Sequence, residues 1–457
     1  MLCPILSLIG SPRRVWRSAP PDPPGTARQQ GSASNGKAYW SSRAVRRRAC
    51  PNRHGLCAWR AARNSYDSGA LCRPGWSRRL RKHESSARRA LGPRDQDKTA
   101  RYSGARFYAV GDTDRLLAFA EKVYERRSRA GLAAKTSSVL AISGGGDDGA
   151  FGGGLLIGWS ERGDRPEFDT VTGISTGALT APFAFLGSGY DPAIRQVYTN
   201  TDADDVFQER NLLAIVASDA MADTTPLRNM IARFVDEKLI VRIAEEYQKG
   251  RLLLIMTTNL DQARAVIWNI GAIAESGHPR TRHLIVDILL ASASLPGVFP
   301  PVMIDITVDG KRYQEMHVDG GAIAQAFLYP PSLSFKKVKE LLKAGGLKYK
   351  KHKRVAYIIR NGRLYRPEAD VERSTLAILT QTTTTMTAAS GVNDTYRIYL
   401  TTKRDGVGFN LAYIDDDFTP PYKGPFDKGY MRTLFDYGFQ KGLAGYPWQN
   451  TPPGYQE

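Results

Sequence analysis

Gly173-Ile174-Ser175-Thr176-Gly177 decides the reading of this chain. The stretch follows a short apolar run, Phe168 to Thr172, and precedes a helix-like run, Ala178 to Leu186. Strand, Gly-x-Ser-x-Gly, helix is the context of a nucleophile elbow. The two glycines remove Cβ atoms where the turn is tightest. The serine oxygen then stands at the N-terminus of the following helix, whose dipole favours developing negative charge. A surface loop that merely holds a serine is the competing reading, and two further stretches weigh against it.

Upstream, Ser137 to Ser143 is aliphatic and β-branched, as in a buried strand. It runs into Gly144-Gly145-Gly146-Asp147-Asp148-Gly149 and then into an apolar helical run from Ala150 to Trp159. A strand, glycine loop and helix gather several backbone N–H groups at one point and so bind an anion. That anion is either the oxyanion of an acyl transfer or a nucleotide phosphate. No Gly-Lys-Ser/Thr closes the loop, which excludes a Walker site. The next strand ends in Ser175, not in the acidic residue that a dinucleotide fingerprint requires. Asp147 and Asp148 would also repel a pyrophosphate, so the oxyanion reading is the better one.

Downstream, Met316-His317-Val318-Asp319-Gly320-Gly321 closes a strand-like run that follows a hairpin signal, Val308-Asp309-Gly310-Lys311. A nucleophilic serine needs a proton acceptor within hydrogen-bond reach. Of the six histidines (His54, His83, His278, His283, His317 and His352), only His352 follows Asp319, and it lies in a basic run, Lys348 to Arg354. His317 lies two residues before Asp319 and shares its strand face. A Ser-His-Asp triad is poorly supported. A dyad of Ser175 and Asp319 is the economical alternative, because a desolvated carboxylate can be poised high enough to act as a general base.

Gly-Gly-Gly-x-x-Gly, Gly-x-Ser-x-Gly and Asp-Gly-Gly in this order resemble the motif set of patatin-like phospholipases. The connecting Ala291-Ser-Ala-Ser-Leu-Pro-Gly-Val-Phe-Pro-Pro301 is similar to another segment of that family. The resemblance is looser towards the C-terminus, where Gly408 to Ile414 and Tyr446-Pro-Trp448 look like bacterial members. It implies a three-layer α/β/α fold with a mainly parallel central sheet. It also implies a lipid acyl hydrolase of the phospholipase A, lysophospholipase or esterase type, with Ser175 as nucleophile and Asp319 as base. Gly144, Gly145 and Gly146 would supply the oxyanion N–H groups, and Gly149, Gly173, Gly177, Gly320 and Gly321 complete the motifs. The expected partner is a lipid ester met at a membrane or micelle surface. The alternative is a binding module for lipid or protein that keeps the fold without catalysis. Family members commonly carry Arg or Lys in the glycine loop where this chain has Asp147-Asp148. Placed beside the acyl site, the two carboxylates would disfavour strongly anionic lipids.

The composition divides the chain. Residues 1–100 hold 21 Lys+Arg against 5 Asp+Glu, a net of +16 out of +19, and all four cysteines, Cys3, Cys50, Cys57 and Cys72. This stretch is rich in Arg, Ser, Pro, Ala and Gly and has no sustained period, so it lacks the apolar surface to offset its ordering entropy. Residues 1–105 read as a basic arm. A nucleic-acid or membrane-binding arm and a targeting peptide are competing readings, and translation from a start placed too early or in the wrong frame is the preferred one. Nucleic acid is not an expected partner. Neither compartment nor oligomeric state is assigned.

Residues 106–457 read as one catalytic domain with its motif core at 137–330. Helices are expected at 112–130, 150–159, 178–186, 193–198, within 225–249 as two, and at 281–294, 371–399 and 427–443. Strands are expected at 137–143, 168–172, 251–259, 263–269 and 353–360. Strands alternating with helices imply a mainly parallel sheet. The lysines of 336–353 read as a solvated face, Asp415-Asp416-Asp417 as a loop, and the threonines of 380–387 carry no assigned role. Neither a metal nor a cofactor is expected.

Overall fold

The structure, a computed structural model, describes residues 104–209, 222–308, 311–365 and 370–455. All but the last two residues of the 1–105 arm lie outside the described residues, as does the turn at 309–310.

The chain opens with β1 (Arg106–Tyr108) and α1 (Thr113–Arg129). The aliphatic strand β2 (Ser137–Ile142) leads through the glycine loop to α2 (Gly149–Arg162). Next come β3 (Thr170–Gly173), α3 (Thr176–Leu186) and α4 (Asp191–Asn200). After a short helix, Ala203–Val206, follow α5 (Thr225–Phe234) and α6 (Glu237–Gln248). β4 (Leu252–Asn259) and β5 (Arg264–Asn269) precede α7 (Ile270–Glu275) and α8 (Thr281–Ser292). The hairpin strands β6 (Val302–Val308) and β7 (Lys311–Asp319) are followed by α9 (Phe335–Ala344) and β8 (Arg354–Ile359). The chain ends with α10 (Thr375–Asp405), β9 (Gly408–Ala412) and α11 (Lys428–Ala444). The helix and strand expectations agree with this order to within a few residues, except that the long helix starts and ends later, at 375 and 405. None of the described helices is long and apolar enough to cross a membrane.

Nine strands form one sheet among the described residues, in the order β1-β5-β4-β3-β2-β8-β9, with β7 joining at β4 and β6 pairing β7. β9, β8, β2, β3 and β4 are parallel. Side chains alternate across this sheet. Leu140 and Ile142 enter the larger core with Phe151, Leu155, Val171 and Phe435. Ala141 faces the other way, with Ile358, Ile398 and Leu411 under α10. Helices therefore cover both faces, and the fold is the three-layer α/β/α arrangement. α2 and α11 pack with almost no side chain between them: a Cβ at Gly154 or Gly158 would lie 2.0 or 2.1 Å from the carbonyl oxygens of Phe435 and Phe439.

β4 is the strand that assembles the site. Its first half pairs β3, with Gly173 opposite Ile255. Its second half pairs β7 in the antiparallel sense, with Asp319 opposite Thr257. Two strand ends far apart in sequence thus meet at one edge. The lysines of 336–353 are exposed, as expected of a solvated face, while Val338 and Leu342 of α9 are buried with Tyr124 of α1.

Candidate active site

Ser175 adopts φ 54° and ψ −126°, a conformation that costs a residue with a Cβ roughly 1–3 kcal/mol and persists only where the surroundings enforce it. Ser175 N–H donates to Ser292 Oγ at 3.1 Å, and that hydroxyl donates to Met256 O at 2.8 Å. The final glycine of the pentapeptide is needed for close approach, since a Cβ on Gly177 would lie 2.3 Å from Ile142 O. Without it β2 and α3 would be forced apart and the elbow would open.

Asp319 ends β7 with its carboxyl buried. Its N–H donates to Ser294 O at 2.9 Å, and its Oδ1 accepts Gly321 N–H at 2.7 Å. The Ser175 side chain acts on this carboxyl and draws its pKa down. Burial pushes the pKa up to about 6, outweighing the downward pull of Ser175 and of the Gly321 hydrogen bond. Gly320 and Gly321 form the turn beyond it, with Gly320 against Met256 O and Gly321 against the Gln325 amide.

His317 is fully buried, and burial lowers its pKa. Its Nδ1 lies 2.9 Å from Thr257 Oγ1 and its Nε2 lies 3.3 Å from Glu315 Oε2. Trp268 Nε1 donates to Thr257 Oγ1 at 2.7 Å, which leaves the threonine proton for Nδ1 and places the imidazole proton on Nε2. Glu315 pairs with Arg106 at 2.5 Å. Burial alone would raise Glu315, but Arg106 and the His317 hydrogen bond hold it down at about 2. Both ring nitrogens of His317 are thus spent on a buried network, although it shares a strand with Asp319.

The glycine loop departs from expectation at one position. Gly144 N–H donates to Gln325 O at 3.0 Å, so it is not available to an oxyanion. Gly145 and Gly146 are the two loop glycines whose N–H groups make no hydrogen bond among the described residues. Asn361 braces the loop: its N–H donates to Ser143 Oγ at 2.8 Å, its Nδ2 to Ser143 O at 2.9 Å, and its Oδ1 accepts Gly152 N–H at 3.1 Å. A Cβ on Gly145 would lie 2.1 Å from Asn361 O.

The expectation that Asp147 and Asp148 repel anionic lipid is also revised. Asp147 Oδ2 accepts Phe426 N–H at 3.0 Å, and its carboxyl is hydrogen-bonded with Tyr422. Asp148 Oδ1 accepts the Tyr430 hydroxyl at 2.9 Å. Burial raises Asp147. The pair fastens the glycine loop to the segment that starts α11.

Three supporting residues were not legible in the sequence. Ser292 carries the elbow N–H. Gln325 holds Gly144 through its carbonyl, and its Nε2 donates to Gly321 O at 3.0 Å. Asp394 of α10 accepts the Gln325 N–H at 2.5 Å. Ser292 lies within a segment that the motif resemblance covers, but no spacing marks Gln325 or Asp394.

The family model described as patatin-like phospholipase matches residues 140–330. No curated protein matches the chain. Among solved structures, VipD from Legionella pneumophila is 12% identical, with 68% of this chain and 66% of that chain covered, at a TM-score of 0.29. Human GIVD cytosolic phospholipase A2 is 10% identical, with 70% of this chain and 53% of that chain covered, at a TM-score of 0.26. The chain thus spans just under two thirds of the first protein and about half of the second.

Proposed function

We propose, from the match of residues 140–330 to the patatin-like phospholipase family model, that the chain is a lipid acyl hydrolase cleaving carboxylic esters through a Ser175–Asp319 dyad. The observation that carries the reading is the buried Asp319 carboxyl, its pKa raised to about 6 and influenced by the side chain of a strained Ser175, together with two loop N–H groups that make no hydrogen bond among the described residues.

Asp319 accepts the Ser175 proton as Oγ attacks the ester carbonyl carbon. The N–H groups of Gly145 and Gly146 hold the oxyanion, an interaction worth roughly 3 kcal/mol per donor in comparable sites. Collapse expels the alcohol, which takes the proton from Asp319 and leaves an acyl ester on Ser175. Water then gives a proton to Asp319 and attacks the acyl carbon. The fatty acid leaves, and the proton returns to Ser175. A carboxyl poised at about 6 is ionised at neutral pH yet is a far better base than an exposed aspartate.

Contact with a lipid surface is part of the proposal. α10 carries no charged side chain from Thr375 to Asn393, and it exposes Ile378, Leu379 and Met386. An exposed helix half without charge suits an interface better than open water.

Turnover of p-nitrophenyl butyrate by the purified chain tests the reading, together with fluorophosphonate labelling of Ser175. Loss of both in folded Ser175→Ala is expected. Undiminished turnover in that variant, or an inert wild-type protein, would sink the hydrolase assignment.

A further inference from the structure

A cavity of about 280 Å³ opens on the sheet face opposite α2 and α3, bounded by β4, β5, α10 and the 323–331 segment. Met256 and Ile267 point into it, whereas their neighbours Ile255 and Trp268 enter the core on the other face. Neither Ser175 nor Asp319 lines it. Its walls are mainly apolar, with Ala324, Phe327, Leu328 and Ile398 added to the two strand residues. Among the described residues no carboxylate side chain lines it, but two guanidinium groups do, those of Arg264 and Arg397.

The two arginines differ. Arg397 is paired with Asp394 at 2.7 Å. Arg264 lies 4.0 Å from the centre of the Tyr108 ring and donates to Val110 O at 2.5 Å. It meets no carboxylate among the described residues. A half-buried cation beside a mainly apolar pocket is short of an anion, and guanidinium binds a carboxylate with two parallel hydrogen bonds. The volume suits a chain of roughly ten carbons at interior packing density.

We propose that this cavity binds a single-tailed aliphatic carboxylate, a fatty acid, with the tail against Met256, Ile267 and Phe327 and the head on Arg264. The site adjoins the elbow: Ile174 packs in the same cluster as Met256 and Ala324, and Met256 O holds the serine that carries the Ser175 N–H. The chain entering it is either a free acid or the acyl tail of an intact lipid, and the two sources differ in carrying a carboxylate.

The test is calorimetric titration of the full chain, in its Ser175→Ala form, with decanoate, decanol and methyl decanoate. The variant removes turnover, so the readout is binding and does not depend on the hydrolase reading. Saturable one-to-one binding of decanoate is expected. Decanol and methyl decanoate bind about tenfold or more weaker, and Arg264→Gln weakens decanoate by a similar factor, as loss of a charge-assisted hydrogen bond implies. Val110 lines the mouth and is 77% exposed, so its variants fold whatever becomes of Arg264→Gln. Val110→Glu weakens decanoate and Val110→Lys strengthens it. Equal affinity for the ester would assign the cavity to acyl tails of intact lipid and overturn the carboxylate site. Absence of saturable binding, or indifference to both Arg264 and Val110, would overturn the proposal outright.

Discussion

Asp319→Asn should make the protein more stable at neutral pH while removing its activity. Burial moves the Asp319 pKa from 3.8 to about 6. Folding therefore disfavours the charged form, and the native state pays for holding it charged. Each pKa unit corresponds to about 1.36 kcal/mol, so the cost approaches ~3 kcal/mol above pH 6. The sign follows from proton binding: between the two pKa values the folded state binds more protons than the unfolded state, so stability falls as pH rises through that window. At pH 4 the cost has shrunk to about 0.5 kcal/mol, because the carboxyl is almost wholly protonated in the folded state and only a little more than half ionised in the unfolded one. Asparagine fills the same space, can accept Gly321 N–H through its oxygen, and carries no charge at any pH. Urea unfolding of wild type and Asp319→Asn at pH 4 and pH 7.5 measures the difference, with ester turnover followed in parallel. The variant is expected to gain on the order of 2–3 kcal/mol at pH 7.5 and little at pH 4, and to lose activity by about 10²–10⁴-fold. A gap of the same size at both pH values, or a variant less stable than wild type at pH 7.5, would show that the carboxyl is not desolvated as argued.

Wild-type kcat/KM should fall below about pH 6 as Asp319 protonates, and a profile flat down to pH 4.5 would remove it as the base. Gly145→Ala drives a Cβ to within 2.1 Å of Asn361 O, so turnover drops by roughly 10²-fold or more as the oxyanion donors shift. Near-normal activity in that variant would place the oxyanion elsewhere. Asp148→Ala removes the acceptor of the Tyr430 hydroxyl and costs about 1–2 kcal/mol in denaturant unfolding. The rate ratio between phosphatidylglycerol and a neutral ester stays unchanged, and a shift towards phosphatidylglycerol would restore the repulsion idea. Arg106→Ala strands the buried Glu315 and costs about 3–5 kcal/mol, whereas a chain beginning at residue 102 retains the pair and unfolds at the wild-type denaturant concentration. A large loss of stability on that truncation would give the arm a structural role.

The alternation of apolar strands with helical periods was enough to give the α/β class and the order of most elements, because local pattern reflects which faces are covered. The elbow was equally legible, since its strand, Gly-x-Ser-x-Gly and helix follow one another directly in the chain, although Gly177 is imposed by the approach of Ile142 O from the neighbouring strand. Two strands of the nine-stranded sheet are not legible in the sequence: β1, three residues long on the sheet edge, and β9, which shows only as a motif resemblance. Neither is long enough to show a period. The candidate site divided in the same way. Ser175 and Asp319 carry motifs of their own, but their meeting depends on β4 pairing β3 with one half and β7 with the other. The fate of Gly144 turned on a carbonyl at Gln325, and that of Asp147 and Asp148 on residues Tyr422 to Tyr430, nearly three hundred positions away. Local sequence determines how the backbone turns and which side chains have chemistry to offer. Which of those groups is left free to use it is decided by hydrogen bonds from distant segments, and only the folded chain brings those segments within reach.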